Sequence, residues 1–196
     1  LEWTLSRFED SPTIESVILT VPASAIEAPR GRVAAFSKVK MVIAGGKERQ
    51  DSVWAGLQAA AVLNPTIVVV HDGVRPMITP ILIEASIAEA RRSGGAIVAV
   101  KVSDTVKRVI KGRIVETIDR RELWAAQTPQ SFQFPLIREA FEKAVADGFY
   151  GTDEASLVEH LGKSVAIIEG SRFNIKVTTP PDLEMASWLA SKRSMG

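Results

Sequence analysis

The run Ile67–Val70 constrains the fold of this chain more than any other segment. It consists of four consecutive β-branched apolar residues, a composition that favours an extended strand. Because no polar residue interrupts the run, both faces of the strand should be covered, as at the centre of a parallel sheet. The run ends abruptly at HDGVRP, residues 71–76. The sequence therefore predicts a central parallel strand that delivers the carboxylate of Asp72 and the guanidinium of Arg75 to its carboxyl end, where open α/β sheets bind ligands.

The composition restricts the class of protein. The chain has 196 residues, of which 46% are hydrophobic and 24% charged, which suits one soluble domain with a sizeable core. The net charge of +1 indicates neither a nucleic-acid nor a membrane partner. The absence of cysteine excludes disulfides, a thiol nucleophile and cysteine-ligated metals, and two histidines are too few for a histidine-rich zinc site. No apolar run approaches the roughly 20 residues of a membrane span.

Helical and strand-like patterns alternate along the chain, which predicts a mostly parallel, three-layer α/β sheet. Ala23–Phe36 is a weak helical pattern interrupted by Pro29. A short helix over Leu1–Phe8 leads directly into a strand over Ile14–Val21. Because a βαβ unit needs roughly 30 residues or more, we expect a further strand and its loop to precede Leu1.

The alternation changes at residue 103. Two short β-prone runs, VKRVI and RIVETI, flank Lys111-Gly112, a pattern typical of a β-hairpin. This hairpin predicts an arm over about residues 103–124 that reaches out of the domain and serves oligomer contacts. The following QTPQSF, residues 127–132, is interpreted as a polar turn. The helix after Gly45-Gly46 is expected to start at Val53, with Asp51 or Ser52 as its cap. Thr79 is expected to cap another helix, with Pro80 at its first position.

Several polar clusters lie at predicted strand ends or helix starts, and each has a structural and a functional interpretation. Gly45 and Gly46 with Ser52 could admit a ligand close to the backbone, although a turn and a helix cap explain them equally. Asp72 could hold a hard cation such as Mg²⁺ and Arg75 a phosphate, or the two could be a turn residue and a surface charge.

The remaining clusters lie on the arm and near the end of the chain. Thr105 and Lys107 lie at the foot of the arm, and Asp119–Arg121 with Thr128 could hold a phosphate, but both groups could also be solvated surface. Lys176 alternates with apolar neighbours, so it points to one face, where it could stabilise charge in phosphoryl chemistry or extend to solvent at a sheet edge. His71 could be a base or a core histidine. No Walker P-loop and no GxGxxG motif occurs.

Six motifs occur in order along essentially the whole chain. They are GGKERQDSVWAGL (45–57), HDGVRP (71–76), DTVKRV (104–109), IDR with LWAAQTPQSF (118–132), TDEAS (152–156) and NIKVTTPPDL (174–183). Together they resemble the 2-C-methyl-D-erythritol 4-phosphate cytidylyltransferase (IspD) family.

The resemblance implies a Rossmann-like nucleotidyltransferase domain with a mostly parallel sheet and an inserted β-hairpin dimerisation arm, in a single domain over residues 1–196. It implies cytidylyl transfer from CTP to 2-C-methyl-D-erythritol 4-phosphate, with release of pyrophosphate, in non-mevalonate isoprenoid biosynthesis. The product is 4-diphosphocytidyl-2-C-methyl-D-erythritol. It further implies Mg²⁺, a homodimer with shared active sites, and a cytoplasmic location, or the plastid stroma in a plant or alga.

The resemblance also assigns roles to individual residues. Asp72 would coordinate Mg²⁺, and Lys176 would stabilise charge on the α-phosphate, so these two form the catalytic set. Thr105, Arg120 and Thr128 would come from the partner subunit. The expected nucleotide-binding residues are Gly45, Gly46, Ser52 and Gly73, and the expected substrate-binding residues are Arg75, Thr105, Arg120 and Thr128.

Two other functions remain open at this point. A cytidylyltransferase acting on ribitol 5-phosphate shares HDxVRP-like, QTPQSF and NIKVTT-like motifs, although TDEAS and DTVKRV favour the methylerythritol enzyme. A non-catalytic nucleotide-binding protein is the second. The family carries a glycine-rich N-terminal loop that wraps the CTP triphosphate, so we expect a chain that starts at Leu1 to lack turnover.

Overall fold

The computed structural model describes residues 1–27 and 30–193. The α-helices are α1 (Glu2–Glu9), α2 (Arg30–Val33), α3 (Arg49–Ala60), α4 (Pro80–Ser93), α5 (Phe134–Asp147), α6 (Glu154–His160) and α7 (Pro180–Arg193). The strands are β1 (Val17–Val21), β2 (Val39–Ala44), β3 (Ile67–Val70), β4 (Gly95–Lys101), β5 (Val106–Ile110), β6 (Arg113–Ile118), β7 (Trp124–Gln133) and β8 (Ala166–Glu169). Short 3₁₀ turns occupy Ala23–Ala25 and Ala61–Leu63. The predicted helix over Ala23–Phe36 is therefore only this first turn and α2, and Pro29 lies outside the described residues.

The main sheet has four strands in the order β3-β7-β4-β8. β7 is antiparallel to both of its neighbours, whereas β4 and β8 are parallel. β1 and β2 form a separate parallel pair. The prediction of a mostly parallel sheet is therefore wrong, and the sheet is mixed. The reason is that residues 127–132, interpreted as a polar turn, belong to the ten-residue strand β7 between β3 and β4.

β3 is the strand that the sequence placed at the centre of a parallel sheet. It lies instead at an edge of the four-stranded sheet, paired antiparallel with β7. Its two faces are nevertheless both covered, since Ile67 and Val69 pack on one hydrophobic cluster and Val68 packs on another. Uninterrupted β-branched residues thus indicated two-sided packing correctly, but not the direction of the neighbouring strand.

Helices cover both faces of the sheet, which confirms the three-layer α/β arrangement. On one face, buried side chains of α1 and α4, including Phe8 and Ile83, pack with Ile67 and Val69 of β3. On the other face, α3, α5 and α6 pack on the sheet through residues such as Leu57, Phe141 and Leu157. Each fully buried aliphatic or aromatic side chain contributes roughly 1.5–3 kcal/mol of stability, so these two clusters hold the layers together.

Helix starts determine which side chains reach the sheet edge. Thr79 caps α4 as predicted, followed by Pro80. α3 starts earlier than predicted, at Arg49, and Asp51 accepts a hydrogen bond from the backbone N–H of Glu48 at 3.0 Å. Asp51 therefore acts from the first turn rather than as the cap. The earlier start places Arg49 at the beginning of the helix.

The predicted hairpin is confirmed as β5 and β6, joined at Lys111 and Gly112. Both turn residues have positive φ, 50° and 75°, which is typical of tight two-residue hairpin turns. The two strands form their own sheet, and the hairpin exposes apolar side chains, namely Val109, Ile110, Ile114 and Val115. Within the described ranges, no helix is both long and apolar enough to span a membrane.

Candidate active site

The carboxylate of Asp72, just past the end of β3, is the centre of a cluster of charged side chains. Its oxygens lie 3.3 Å from Nε of Arg49, 3.4 Å from Nε of Arg75 and 3.1 Å from Nζ of Lys176. Asp72 and Arg75 are mostly buried, whereas Lys176 and Arg49 reach solvent. The structure therefore brings together Asp72, Arg75 and Lys176, three of the expected site residues.

The backbone at Asp72 is held by Thr128 and His71. The hydroxyl of Thr128 accepts a hydrogen bond from the N–H of Asp72 at 3.1 Å and lies 3.1 Å from Nδ1 of His71. Nε2 of His71 lies 3.2 Å from the carbonyl of Arg75. Because a carbonyl can only accept, Nε2 carries the proton, and in the neutral ring Nδ1 then accepts from Thr128. Both ring nitrogens are therefore occupied.

Burial of the ring lowers the pKa of His71 to about 4, although the carbonyl of Arg75 and the charge of Asp72 act to raise it. The ring is therefore neutral at physiological pH. This favours the interpretation of His71 as a core histidine with satisfied hydrogen bonds over that of a general base.

Lys176 is carried by an extended segment that is anchored through Asn174. The fully buried amide of Asn174 donates to the carbonyl of Thr128 at 2.8 Å. The carbonyl of Asn174 in turn accepts from Nη1 of Arg75 at 2.8 Å. These bonds tie the segment to β7 and to the end of β3, which explains why Lys176 lies against Asp72.

Sequence reasoning missed two members of the cluster, Arg49 and Glu154. Nη1 and Nη2 of Arg49 contact the two carboxylate oxygens of Glu154 at 2.6 and 2.9 Å, while its Nε faces Asp72. Such a bidentate pair is among the stronger interactions of charged side chains. Both residues lie inside quoted motifs, but they are 105 positions apart, and nothing in the sequence indicates that they pair.

The ion pairs of the cluster shift the pKa values of Asp72 and Arg49 in the direction that favours their charged forms. Burial acts to raise the pKa of Asp72, but Arg49, Lys176 and Arg75 outweigh it and hold that pKa below its usual value. Burial acts to lower the pKa of Arg49, but Glu154 and Asp72 outweigh it and raise the pKa. Burial raises the pKa of Glu154, although the two contacts with Arg49 act to lower it and favour the ion pair. With the pairs ionised, the three cations and two carboxylates leave one positive charge in excess. The cluster is therefore suited to an anionic group such as a phosphate.

Gly45, Gly46 and Ser52 lie where the loop after β2 meets the start of α3. Ser52 Oγ accepts from the N–H of Gly46 at 3.1 Å. A Cβ on Gly45 would lie 2.6 Å from Ser52 Oγ, and one on Gly46 would overlap Cβ of Asp51. The close approach of loop and helix thus requires both glycines. The predicted role of Ser52 as the cap is wrong, because Ser52 lies inside α3 and Glu48 occupies the cap position. Gly73 is different, since a Cβ there would make only an ordinary contact with Leu1.

Of the three residues expected from the partner subunit, two are exposed on the arm and one is buried in β7. Thr105 and Arg120 are exposed at the foot of the hairpin, where Arg120 donates to the carbonyl of Ser103. No hydrogen bond or ion pair among the described residues joins either one to Asp72. Thr128 is only 4% exposed and lies in β7 of its own chain. The expectation that Thr128 reaches a neighbouring subunit's site is therefore wrong, because its hydroxyl is committed to Asp72 and His71.

Within residues 1–27 and 30–193, no group of three or more histidine, cysteine, aspartate or glutamate side chains could hold a metal ion. Asp72 alone fits Mg²⁺, which proteins usually bind through one or two carboxylates together with substrate phosphates.

Two open cavities lie at the start of α3 and beside α1, and Asp72 lines neither. One, of about 470 Å³, is lined by residues 47–51 with Tyr150 and Gly151. The other, of about 400 Å³, is lined by residues of α1 and of the segment after β1. The first borders Arg49 and the start of α3, and so it adjoins the expected nucleotide-binding loop.

The family model that matches this chain and its relatives from other organisms carry the same description. The family model described as "IspD: 2-C-methyl-D-erythritol 4-phosphate cytidylyltransferase" matches residues 1–192. The protein of that name from Syntrophotalea carbinolica is 48% identical over 189 residues, which cover 95% of this chain and 81% of the relative. The one from Syntrophus aciditrophicus is 47% identical over 96% of this chain and 82% of the relative.

Solved structures of the same enzyme from other organisms have a fold similar to that of this chain. The crystal structure of 2-C-methyl-D-erythritol 4-phosphate cytidylyltransferase from Thermus thermophilus matches with a TM-score of 0.84 at 35% identity, over 97% of this chain and 88% of that one. That of 4-diphosphocytidyl-2C-methyl-D-erythritol synthase from Anaerococcus prevotii matches with a TM-score of 0.86 at 29% identity, over 96% and 85%.

Proposed function

Because the chain belongs to the 2-C-methyl-D-erythritol 4-phosphate cytidylyltransferase (IspD) family, we infer that it is a nucleotidyltransferase of non-mevalonate isoprenoid biosynthesis. It transfers the cytidylyl group of CTP to 2-C-methyl-D-erythritol 4-phosphate and releases pyrophosphate. The match of the family model over residues 1–192 carries this conclusion. The positively charged cluster around Asp72 supports it, since every substrate of the reaction is a phosphate.

The reaction is a direct displacement. An oxygen of the sugar phosphate forms a bond to the α-phosphorus of CTP, and the bond from that phosphorus to the bridging oxygen of pyrophosphate breaks. The attacking oxygen is already ionised at neutral pH, so no general base is needed. The neutral, doubly hydrogen-bonded His71 agrees with such a mechanism. The protein contributes positioning and electrostatic stabilisation.

The cations of the cluster have separable roles in this proposal. Lys176 is partly exposed and lies at the end of an anchored segment, so it can turn from Asp72 to the α-phosphate and stabilise charge there. Arg75 is mostly buried and fixed by the carbonyl of Asn174, so it can clamp the substrate from a constant position.

The family uses a divalent metal, and we propose that Asp72 is the protein's ligand for Mg²⁺. When bound, the ion neutralises charge on the phosphates of CTP. Asp72 would then hold the ion, and Lys176 would be free to contact the α-phosphate. Gly45, Gly46, Ser52 and Gly73 are proposed to line the nucleotide, as their position at loops beside α3 and β3 allows.

We propose that the arm completes the site of a partner subunit in a homodimer. The apolar side chains exposed on β5 and β6 support this, since contiguous exposed apolar surface commonly marks a protein interface. Thr105 and Arg120 would then contact the partner's substrate. Residues 1–196 would otherwise form one nucleotidyltransferase domain, with the arm at about residues 103–124.

The test is an assay of the full-length protein with CTP and Mg²⁺. Pyrophosphate release and the mass of the product are followed with 2-C-methyl-D-erythritol 4-phosphate and, separately, with ribitol 5-phosphate. We expect turnover with the first substrate. A preference for ribitol 5-phosphate would overturn the choice of substrate.

The same assay addresses the non-catalytic alternative. A nucleotide-binding protein without activity would gain stability from CTP, about 2.7 kcal/mol at a hundredfold excess over Kd, yet release no pyrophosphate. Thermal unfolding with and without CTP, measured on the sample used for the assay, separates these outcomes.

A further inference from the structure

Glu154 is a charged residue to which the mechanism above gives no part. Its side chain is 1% exposed, and both carboxylate oxygens contact Arg49. Removing a carboxylate from water costs free energy, and a buried ion pair is by itself weak evidence of a stabilising role. The position of this pair, beside Asp72, suggests a functional reason for its presence.

The backbone at Glu154 is held by β7, an inner strand of the sheet. Gln130, a fully buried residue of β7, accepts hydrogen bonds from the N–H groups of Glu154 and Ala155 at 3.1 Å each. Its amide donates to Asp153 at 2.8 Å. The start of α6 is therefore fixed relative to β7, the strand that also holds Asp72 through Thr128.

Arg49 is held at the start of α3 in the same way. The neighbouring Gln50 donates to the carbonyl of Phe149 at 3.0 Å and accepts from the N–H of Gly151 at 2.9 Å. The first turn of α3 is thus docked on residues 149–154. Two nitrogens of Arg49 are occupied by Glu154, and Nε is left to face Asp72.

We propose that Glu154 is a positioning residue of cytidylyl transfer, which holds the guanidinium of Arg49 beside Asp72 and offsets its charge. With Glu154 in place, Arg49 presents a single N–H to Asp72. Without it, Arg49 is no longer held in place, and Asp72 loses a cation that fixes its carboxylate. The inference rests on the role proposed above for Asp72.

The test compares Glu154→Gln with the double variant Arg49→Met/Glu154→Gln, measuring kcat, KM for CTP and Tm. Glu142→Gln, which removes the carboxylate of an exposed Arg–Glu pair on α5, is the matched control. We expect Glu154→Gln to lower kcat 10- to 100-fold, as is usual for residues that orient a ligating group, and to lower Tm. The double variant buries no unpaired charge, so it should regain Tm but not kcat, because Arg49 is also absent.

Three outcomes would overturn the proposal. They are a kcat for Glu154→Gln within twofold of the wild-type value, recovery of kcat together with Tm in the double variant, and loss of the fold in both variants. The last two would show a structural role only. Undiminished turnover by Asp72→Asn would instead remove Asp72 from the reaction, and absence of turnover by the wild-type protein would contradict the proposed function.

Discussion

The Asp72 cluster and the hairpin arm carry the two halves of the expected active site, and they are built in opposite ways. Around Asp72, ion pairs and hydrogen bonds from β3, β7, α3, α6 and the Asn174 segment fix nearly every polar side chain. On the arm, Thr105 and Arg120 are exposed, and apolar side chains of β5 and β6 face outward. The cluster is organised within a single chain, whereas the arm exposes apolar side chains of the kind that commonly mark a protein interface.

Because of this difference, mutations in the cluster and mutations on the arm should affect activity in different ways. A change in the cluster should alter chemistry in every subunit that carries it, whatever the oligomeric state. A change on the arm should act only through the neighbouring subunit. The following experiments test that contrast, beginning with the largest expected effect.

Replacing Lys176 with Met removes a cation from the cluster while keeping an unbranched side chain. We expect kcat to fall 10²- to 10³-fold, the usual cost of losing one group that stabilises transition-state charge. Tm should change little, because the side chain is 43% exposed. Lys143→Met is the control, since Lys143 is also 43% exposed and paired with an aspartate. Equal kcat values for the two variants would remove Lys176 from the reaction.

Acid should lower the free energy of unfolding, because the buried ring of His71 resists protonation in the folded chain. The pKa of His71 is about 4 in the folded chain and about 6.5 in an unfolded one, so the unfolded state binds more protons between these values. The free energy of unfolding should therefore decrease as pH falls from about 6.5 to about 4, by about 3 kcal/mol in total from this residue.

The measurement is denaturant unfolding of wild type and His71→Gln across that pH range. The variant should be less stable at pH 7 but should lose less stability on acidification. Parallel curves for the two proteins would show that His71 does not cause the acid sensitivity.

Mixing two inactive variants tests whether the arm acts across the dimer. Asp72→Asn impairs the cluster, and Arg120→Ala impairs the arm. In a mixed dimer, one site would combine the intact cluster of one subunit with the intact arm of the other. Random pairing of a two-fold symmetric dimer should therefore restore roughly a quarter of the wild-type rate. Absence of recovery, with heterodimers confirmed by mass, would place Arg120 in its own subunit's site.

The smallest expected effect concerns the surface of the arm. Ile114 is 65% exposed on β6, and Ile114→Glu would bury a charge if that surface meets a partner. We expect the dimer Kd to rise at least tenfold, about 1.4 kcal/mol, as measured by sedimentation. Val62→Glu, at a position 76% exposed outside the arm, is the control. An unchanged Kd for Ile114→Glu would place the dimer contact elsewhere.

Local patterns in the sequence predicted several parts of the structure. The Lys111-Gly112 turn, the Thr79 cap and the two-sided packing of β3 all depend on residues close together in the chain. The family resemblance named Asp72, Arg75 and Lys176 as site residues, and the structure brings these three side chains together.

Strand β7 could not be predicted in the same way. Its residues Gln127, Thr128, Gln130 and Ser131 are polar, and Pro129 normally argues against a central strand. All four polar side chains are buried, because distant groups satisfy them, including Asn174, Asp153 and Ser86. Composition alone therefore indicates a turn, and this error led to the wrong prediction of the sheet direction.

The pairing of Arg49 with Glu154 also has a consequence for how the site is assembled. These residues are 105 positions apart, and Arg75 and Asn174 are 99 apart. Contacts of such range close long loops and form only when the chain has reached its complete topology. A chain with its helices formed but β7 unpaired would therefore lack the long-range contacts of the cluster. Enzymatic turnover would therefore indicate that these long-range contacts have formed, whereas a normal helical content would not.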